Sequence, residues 1–297
     1  MFRRLFWVVA FVLALGLTAV AETADSGIVR IGLFTDVHAH DTDSPNEHKV
    51  MVNYAERISA FVAAMTAWSA DAIVQLGDLV NGAFVMGAPL GDPARIVGIL
   101  DDVLGLLAPF PGPVLHVLGN HDVYDLTKQE FLAGTGSEET FYSYDLGLFH
   151  FVVLDAQFTK AGTDVGRVGW MVQGTVPEAE LAWLRADLAA TAKPTVILIH
   201  QPLDVAFDLL AGGAPVSNAA AVRAALVESG NVIAVFQGHD HEDRYQVIDG
   251  VPYVTFAAMV DHDVATPPSW AAITLDPQTR TIHVEGVSEQ ATLDITF

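Results

Sequence analysis

The chain has 297 residues, of which 52% are hydrophobic, and it carries 14 Lys and Arg against 36 Asp and Glu. The apolar content is sufficient for one large core, and the acidic balance disfavours general nucleic-acid binding because such a surface repels phosphate backbones. The sequence contains no cysteine, which excludes disulfides, zinc–thiolate sites, thiol nucleophiles and a lipid anchor on an N-terminal cysteine.

The N-terminus has the pattern of a secretory signal peptide. Arg3 and Arg4 precede an apolar run from residue 5 to about residue 18, and Ala19-Val20-Ala21 fits a small-residue cleavage site. We therefore expect residues 1–21 to be removed and the remaining chain to be periplasmic or secreted. The alternative is an uncleaved segment that anchors the protein to the membrane, but the apolar run is short for a span.

Beyond this segment, apolar β-rich runs alternate with helical patterns. Strands are predicted at residues 28–34, 72–76, 114–118, 141–144, 149–154, 195–199, 232–236, 251–256 and 270–275. Helices are predicted at residues 55–68, 96–107, 177–191 and 219–228, where apolar residues recur at helical spacing. Most strands lack polar alternation, which is typical of strands buried on both faces. We therefore predict a single α/β (α+β) domain over residues 22–297, with helices outside the sheets.

Five of the strand patterns are followed at once by residues of the types that bind metals. In chain order these are Asp36-Val37-His38, Gly77-Asp78, Gly119-Asn120-His121-Asp122, His200, and Gly238-His239-Asp240-His241. Each motif alone is weak or moderately specific, but all five in this order form a strong signal. In open α/β sheets, ligands bind beyond the carboxyl ends of the strands. We therefore expect these five strand ends to adjoin in one sheet and their motifs to converge on one cleft.

The residue types suit a site for two divalent transition-metal ions, such as Mn, Fe or Zn. Aspartate can bridge two cations, whereas imidazole and the asparagine carbonyl are neutral ligands. The seven candidate ligands are Asp36, His38, Asp78, Asn120, His200, His239 and His241. If Asp78 bridges, each ion receives four protein ligands, and two divalent ions against two carboxylates leave a local charge of about +2 that attracts a phosphate.

Two residues beside these ligands are candidates for catalysis. His121 follows Asn120 but lies outside the ligand set, so we interpret it as the general acid that protonates the leaving oxygen. Asp122 is the candidate to orient its imidazole. The remaining histidines are interpreted as surface or core residues, except that His40, two residues past His38, could instead reach the phosphate. The irregular stretch 158–176 is interpreted as a lid or substrate loop, with Arg167 as either a phosphate clamp or a solvated side chain.

The five blocks resemble those of the calcineurin-like metallophosphoesterase family. They stand here as DVH, GDLVN, GNHD, His200 and GHDH, and the resemblance extends from Ile28 to about Val260. It implies two packed mixed β-sheets flanked by helices, with the site at the strand ends. The resemblance also implies the division of ligands, with one metal on Asp36, His38, Asp78 and His241 and the other on Asp78, Asn120, His200 and His239.

A closer similarity is to the manganese-dependent ADP-ribose/CDP-alcohol diphosphatase branch. It is carried by the segments VQLGDLVNG, LGNHDVYDLT, VPEAELAWLRADL and GHDHEDRY. The similarity implies hydrolysis of small phosphate esters or anhydrides, such as nucleoside diphosphate-linked compounds. Simple phosphomonoesters and cyclic nucleotides are the alternative substrates. A degenerate metal-dependent binding module, a nuclease and a phospholipid head-group enzyme are the other functions to separate from it, and the intact His121 argues against the binding module.

Overall fold

The computed structural model describes residues 27–43, 51–82, 92–167, 174–205, 215–260 and 267–297. The predicted signal peptide, residues 1–21, lies outside these ranges. Among the helices within them, none is long and apolar enough to cross a membrane.

The described part of the chain forms twelve strands and six helices. The strands are β1 (Val29–Phe34), β2 (Ala72–Gln75), β3 (Val114–His116), β4 (Tyr142–Leu146), β5 (Phe149–Val153), β6 (Thr195–Leu198), β7 (Val232–Gln237), β8 (Arg244–Ile248), β9 (Val251–Thr255), β10 (Trp270–Asp276), β11 (Thr281–Val287) and β12 (Leu293–Thr296). The helices are α1 (Tyr54–Trp68), α2 (Pro93–Leu107), α3 (Asp122–Asp125), α4 (Lys128–Thr135), α5 (Glu178–Ala190) and α6 (Ala219–Ser229).

Every strand and helix predicted from the sequence is present, with small shifts at the ends. The largest shift is in α2, which begins at Pro93 because the side chain of Asp92 accepts a hydrogen bond from the Ala94 amide and caps the helix. The sequence prediction missed β8, β11, β12, α3 and α4. A signal for α4 was present, since Thr127 and Glu130 form a capping box.

Two mixed sheets of six strands form the centre of the molecule. The first has the order β12-β11-β10-β1-β2-β3, in which β1, β2 and β3 run parallel. The second has the order β4-β5-β6-β7-β9-β8, in which β5, β6, β7 and β9 run parallel. The two inner faces share one hydrophobic core, to which β1 contributes Ile31 and Leu33 and β5 contributes Phe149 and Phe151.

Helices cover both outer faces of this sandwich. Phe61 and Met65 of α1 and Val103 of α2 belong to the core on the outer face of the first sheet. Leu184 of α5 and Val222 of α6 belong to the corresponding core on the second sheet. The predicted architecture of two packed mixed sheets flanked by helices is therefore confirmed.

The arrangement of the five strand ends differs from the sequence prediction. The motifs follow β1, β2 and β3 in the first sheet and β6 and β7 in the second, so they do not adjoin in one sheet as expected. The reason is that a sequence pattern identifies a strand and the residues that follow its carboxyl end, but it does not identify the strand that pairs with it. The motifs nevertheless meet, because the loops that leave the two sheets at this end come into contact.

Candidate metal centre

The candidate ligands lie in the turns that directly follow their strands. Five of them adopt left-handed backbone conformations, with φ of 52° at Asp36, 48° at His38, 54° at Asp78, 74° at His239 and 63° at His241. Each such non-glycine residue costs roughly 1–3 kcal/mol and persists only where the surroundings determine the backbone. The concentration of strained residues at one place therefore indicates a functional site.

Close approach between neighbouring loops explains the glycine that precedes two of the motifs. A Cβ atom on Gly119 would lie 2.1 Å from Asp78 Oδ1, and one on Gly238 would lie 2.2 Å from Thr35 Oγ1. No side chain fits at such distances, so the backbone of each loop can touch the next only at glycine.

The first group of ligands joins the loops after β1 and β7. His38 Nε2 lies 3.0 Å from His241 Nε2, which lies 3.3 Å from Asp36 Oδ1. One ligand atom from each of the three residues falls within 4.8 Å of the others. The Nδ1 atom of His38 donates to Asn81 Oδ1 at 2.9 Å, which leaves the Nε2 lone pair directed into the group. Asn81 thus orients a candidate ligand and is not itself in the group.

The second group joins the loops after β2, β3, β6 and β7. His200 Nε2 lies 3.2 Å from Asp78 Oδ2 and 3.2 Å from Asn120 Oδ1, and His239 Nδ1 lies 2.9 Å from the same Asn120 oxygen. His200 Nδ1 donates to the Leu76 carbonyl at 2.8 Å, so its Nε2 also faces the group.

Tyr124 is a supporting residue that the sequence analysis missed. Its hydroxyl accepts a hydrogen bond of 3.0 Å from Asn120 Nδ2, which turns the Asn120 carbonyl oxygen toward the histidines. The ring of Tyr124 also contacts the ring of His121, with centroids 4.7 Å apart. The available signal was its position four residues after Asn120, one helical turn along the chain.

Both buried carboxylates lie near the two groups, and Asp78 approaches the opposite group more closely than does Asp36, whose Oδ1 lies 4.0 Å from His200 Nε2. Asp78 Oδ2 lies 3.2 Å from His200 Nε2 and 3.7 Å from His38 Nε2, so it stands between the second group and the first. The structure therefore brings all seven sequence-predicted ligands together at one place.

The charges of the site fit bound cations. Burial would raise the pKa of Asp36, but the imidazoles of His241 and His200 hold it well below its usual range. Burial lowers the pKa of His200, yet the charges of Asp78 and Asp36 raise it overall to about 10. The two buried carboxylates therefore favour positive charge at this place, which bound cations would supply.

The donor atoms also fit metal ions. The buried Oδ1 of Asp36 has no hydrogen-bond partner among the described residues, although carboxylate oxygens in such surroundings normally accept one. Carboxylate, amide and imidazole donors of the described residues converge there. This set suits two divalent transition-metal ions.

Asp122 does not take the role expected from the sequence. Its Oδ2 accepts from the backbone amides of Asp78 at 3.0 Å and Gly119 at 2.9 Å, and its Oδ1 accepts from Val80 at 3.0 Å. Both oxygens are thus used to join the loops after β2 and β3, which corrects the expectation that Asp122 orients His121. Burial and the neighbouring Asp78 raise the pKa of Asp122 to about 7.

His121 lies beside the first group. Its backbone amide donates to Asp78 Oδ1 at 2.8 Å, and its ring packs edge-on against that of His38 with centroids 4.5 Å apart. A ligand atom of His121 lies within 4.8 Å of those of His38 and Asp78. His121 is half-buried and lies close enough to the candidate ligands to serve a group bound there.

The other singled-out residues have local partners. His150 is held by Asp145 and Asp187, at 2.6 Å and 2.9 Å, far along β5 from the strand's carboxyl end. The ring of His40 bonds to Thr42. Arg167, in the middle of the irregular loop, forms an ion pair with Glu130 of α4. Part of that loop lies outside the described residues, as do His48, Trp170, Met171 and His262.

Comparisons with known proteins agree with this geometry. A model of the family described as calcineurin-like phosphoesterase matches residues 29–243, a range that contains all seven candidate ligands. The manganese-dependent ADP-ribose/CDP-alcohol diphosphatase of Oryza sativa subsp. japonica is 24% identical over 252 residues, which cover 70% of this chain and 76% of the rice protein.

Solved structures share the fold. A dimetal phosphatase from Danio rerio has a TM-score of 0.74 at 20% identity and covers 91% of this chain and 99% of its own. GAP50, the anchor in the inner membrane complex of Plasmodium, has a TM-score of 0.57 at 13% identity over 91% of this chain and 89% of its own. At these identities the likeness concerns the fold alone, so the chemistry must be argued from the site residues.

Proposed function

Because this chain belongs to the calcineurin-like phosphoesterase family, we propose that it is an exported hydrolase of small diphosphate-linked compounds, such as nucleoside diphosphate derivatives. Its general activity is that of a metal-dependent phosphoesterase. The observation that carries the proposal is the position of Asp78, whose carboxylate faces both ligand groups. When bound, two divalent ions polarise a phosphoryl oxygen and make a water molecule a better nucleophile.

The protein's contribution begins with the placement of ligands. We assign Asp36, His38, Asp78 and His241 to one ion and Asp78, Asn120, His200 and His239 to the other. Second contacts fix the side chains: Asn81 holds His38, Leu76 holds His200, and Tyr124 holds Asn120. Such outer contacts set the tautomer and direction of each ligand before a metal arrives.

His121 supplies the proton that the leaving oxygen needs. Its backbone is fixed by the bond to Asp78, and its ring lies at the border of the first group, where a substrate phosphate would sit. Proton transfer from an imidazole to the leaving oxygen avoids expulsion of an alkoxide or an unprotonated phosphate.

The substrate class is the finer part of the proposal. It is supported by the rice relative, whose name gives ADP-ribose and CDP-alcohols as its substrates and manganese as its metal. Phosphomonoesters and cyclic nucleotides remain the competing substrates, because the described site residues act on the phosphate and not on the group attached to it.

A substrate panel tests this class. The chelator-stripped protein is reloaded with Mn²⁺, Fe²⁺ or Zn²⁺ and assayed on ADP-ribose, CDP-choline, an aryl phosphate and a cyclic nucleotide. We expect about two metal equivalents per chain and the highest kcat/KM on the two diphosphates with Mn²⁺. A higher kcat/KM on the aryl phosphate or the cyclic nucleotide would contradict the proposed substrate class. His239→Ala, which removes one ligand, serves as the control with reduced metal content.

Export is proposed from residues 1–21 and has its own test. Mass spectrometry of the protein recovered from its native host should find a mature N-terminus at or near Glu22. Recovery of a chain that still begins at Met1, from the cytoplasm, would reject export without affecting the proposed chemistry.

A further inference from the structure

We propose that Arg244 is a positioning residue, which fixes the loop that carries His239 and His241 by joining Asp240 in that loop to the buried carboxylate of Asp204. The proposal rests on the metal site described above. It concerns the segment between β7 and β8, and the residues involved form a side-chain bridge, Asp204–Arg244–Asp240.

Asp204 is the buried end of the bridge. It lies four residues after His200, and its side chain is fully buried. Its carboxylate accepts from Gln237 at 2.5 Å, from Gln246 at 2.5 Å, and from Arg244 through both Nη2 at 3.2 Å and Nε at 3.3 Å. The fork of the guanidinium thus meets both carboxylate oxygens, which satisfies a buried negative charge and fixes the arginine in direction.

Asp240 is the end of the bridge that reaches the site. Arg244 Nη2 lies 2.7 Å from Asp240 Oδ2 and donates to Thr255 Oγ1 at 3.0 Å. Asp240 stands between the two candidate ligands His239 and His241. One arginine therefore connects the middle of the ligand loop to a carboxylate that belongs to the loop of a third ligand, His200.

The ligand loop needs such a connection because its backbone is strained. His239 and His241 both have positive φ, and residues in that region relax unless their surroundings determine them. Backbone amides hold both ends of the loop: Gly238 donates to the His200 carbonyl at 3.0 Å, His239 donates to Asp36 Oδ2 at 3.0 Å, and Ala258 donates to the His241 carbonyl at 3.3 Å. At the centre of the loop, the Asp240 amide makes a local bond to Gly238 at 2.9 Å, and the charged bridge joins the Asp240 side chain to the buried scaffold.

Calorimetry with Mn²⁺ alone tests the effect on metal binding. In the chelator-stripped full chain, we expect Arg244→Gln to weaken Mn²⁺ affinity by about tenfold or more, as removal of an outer support typically does. Activity should fall at limiting Mn²⁺ and recover at excess, with the substrate KM at saturating Mn²⁺ unchanged. Arg185→Gln is the matched control, because it breaks an exposed ion pair with Glu228 on the helices of the second sheet. Arg244→Lys should restore part of the affinity.

Hydrogen exchange provides a second readout that needs no metal. With chelator present, the amides of residues 238–243 should exchange faster in Arg244→Gln than in wild type or Arg185→Gln. Asp240→Asn should show the same faster exchange while leaving the buried Asp204–Arg244 pair intact, so a folding defect does not obscure the result.

Two results would overturn the inference. Unchanged Mn²⁺ affinity and unchanged loop exchange would show that the bridge does not position the loop. A raised substrate KM with unchanged Mn²⁺ affinity would assign Arg244 to the substrate instead. If the wild type binds no Mn²⁺, the proposed function fails, whereas the exchange comparison still decides whether Arg244 fixes the loop.

Discussion

The two sheets contribute unlike halves to one site. At the site, the edge of each sheet is formed by the carboxyl ends of its strands. The first sheet's edge supplies both carboxylates, the amide and a single histidine, namely Asp36, Asp78, Asn120 and His38. The second sheet's edge supplies only imidazoles, from His200, His239 and His241. Negative charge thus comes from one sheet and most of the neutral nitrogen ligands from the other. Neither edge alone offers a complete donor set, so the packing of the sheets assembles the site.

The halves also differ in how they are held. After β1 and β2 the backbone pairing continues past the strands, since the Asp36 amide donates to Gly77 at 3.0 Å and the His38 amide to Asp78 at 2.9 Å. The second edge has a similar backbone bond, from the Gly238 amide to the His200 carbonyl at 3.0 Å, and adds the charged bridge centred on Arg244. We therefore expect changes of charge to affect the second edge, and changes of packing to affect the first.

The largest expected effect distinguishes Asp78, which we assign to both ions, from His239, which we assign to one. Asp78→Ala should lose both ions and lower kcat by roughly 10³-fold or more, because Lewis-acid stabilisation of several kcal/mol disappears. His239→Ala should lose one ion and keep the other. Elemental analysis of both purified variants measures this. Retention of one full equivalent in Asp78→Ala would show that the carboxylate does not serve both groups.

His121→Ala should have the next largest effect. It should keep both ions and lower kcat by about 10² to 10⁴ on substrates with poor leaving groups, because general acid catalysis is lost. The loss should shrink on an aryl phosphate, whose leaving oxygen needs little protonation. Parallel kcat and metal measurements decide the role. Loss of an ion, or equal impairment on both substrates, would make His121 a ligand or a phosphate-positioning group.

Gly119→Ala tests how tightly the first edge is packed. The new methyl group would meet Asp78 Oδ1 at 2.1 Å, so we expect the free energy of unfolding to fall by roughly 1–3 kcal/mol. Gly98→Ala is the control, because that exposed glycine in α2 has open space around it and alanine there should stabilise by roughly 0.5–1 kcal/mol. Urea unfolding with chelator present compares the two. Equal stability of the two variants would argue that the loops move apart freely.

The last expected effect concerns a buried histidine at the end of β3. Burial lowers the pKa of His116 in β3 to about 4, whereas an unfolded histidine titrates near ~6.5. As the pH falls through this interval, the unfolded chain binds more protons than the folded chain, so stability is lost. His116→Gln should remove about 2 kcal/mol of the loss between roughly pH 7.5 and 5. Urea unfolding at both pH values measures it, and parallel curves for variant and wild type would contradict it.

Much of the fold and site follows from the sequence, since strand patterns and donor types are local properties. The partners of each strand are not local, which is why the division of the motifs between two sheets was not foreseen. The β8–β9 hairpin was missed although the dipeptide Asp249-Gly250 is a sequence signal for a two-residue turn. In the structure both residues have positive φ, as such a turn requires.

The supporting residues were harder to predict than the ligands. Asp122 accepts from backbone amides that lie 44 and 42 residues earlier in the chain, at Asp78 and Val80. Because these partners are backbone groups, their residue types do not indicate that they bind Asp122. Arg244 meets Asp204 across 40 residues. Such pairings depend on how loops from different strands pack, which the pattern within any one segment does not contain.

The left-handed backbone of the five ligands has a consequence for laboratory evolution. Glycine or asparagine at Asp36 or His239 would relieve backbone strain, and either residue at Asp36 would also remove a buried negative charge. A library screened for heat resistance in the presence of a chelator should therefore enrich replacements at these positions. The selected variants would be more stable but inactive. Selection for stability in this protein therefore needs metal in the medium and a parallel screen for turnover.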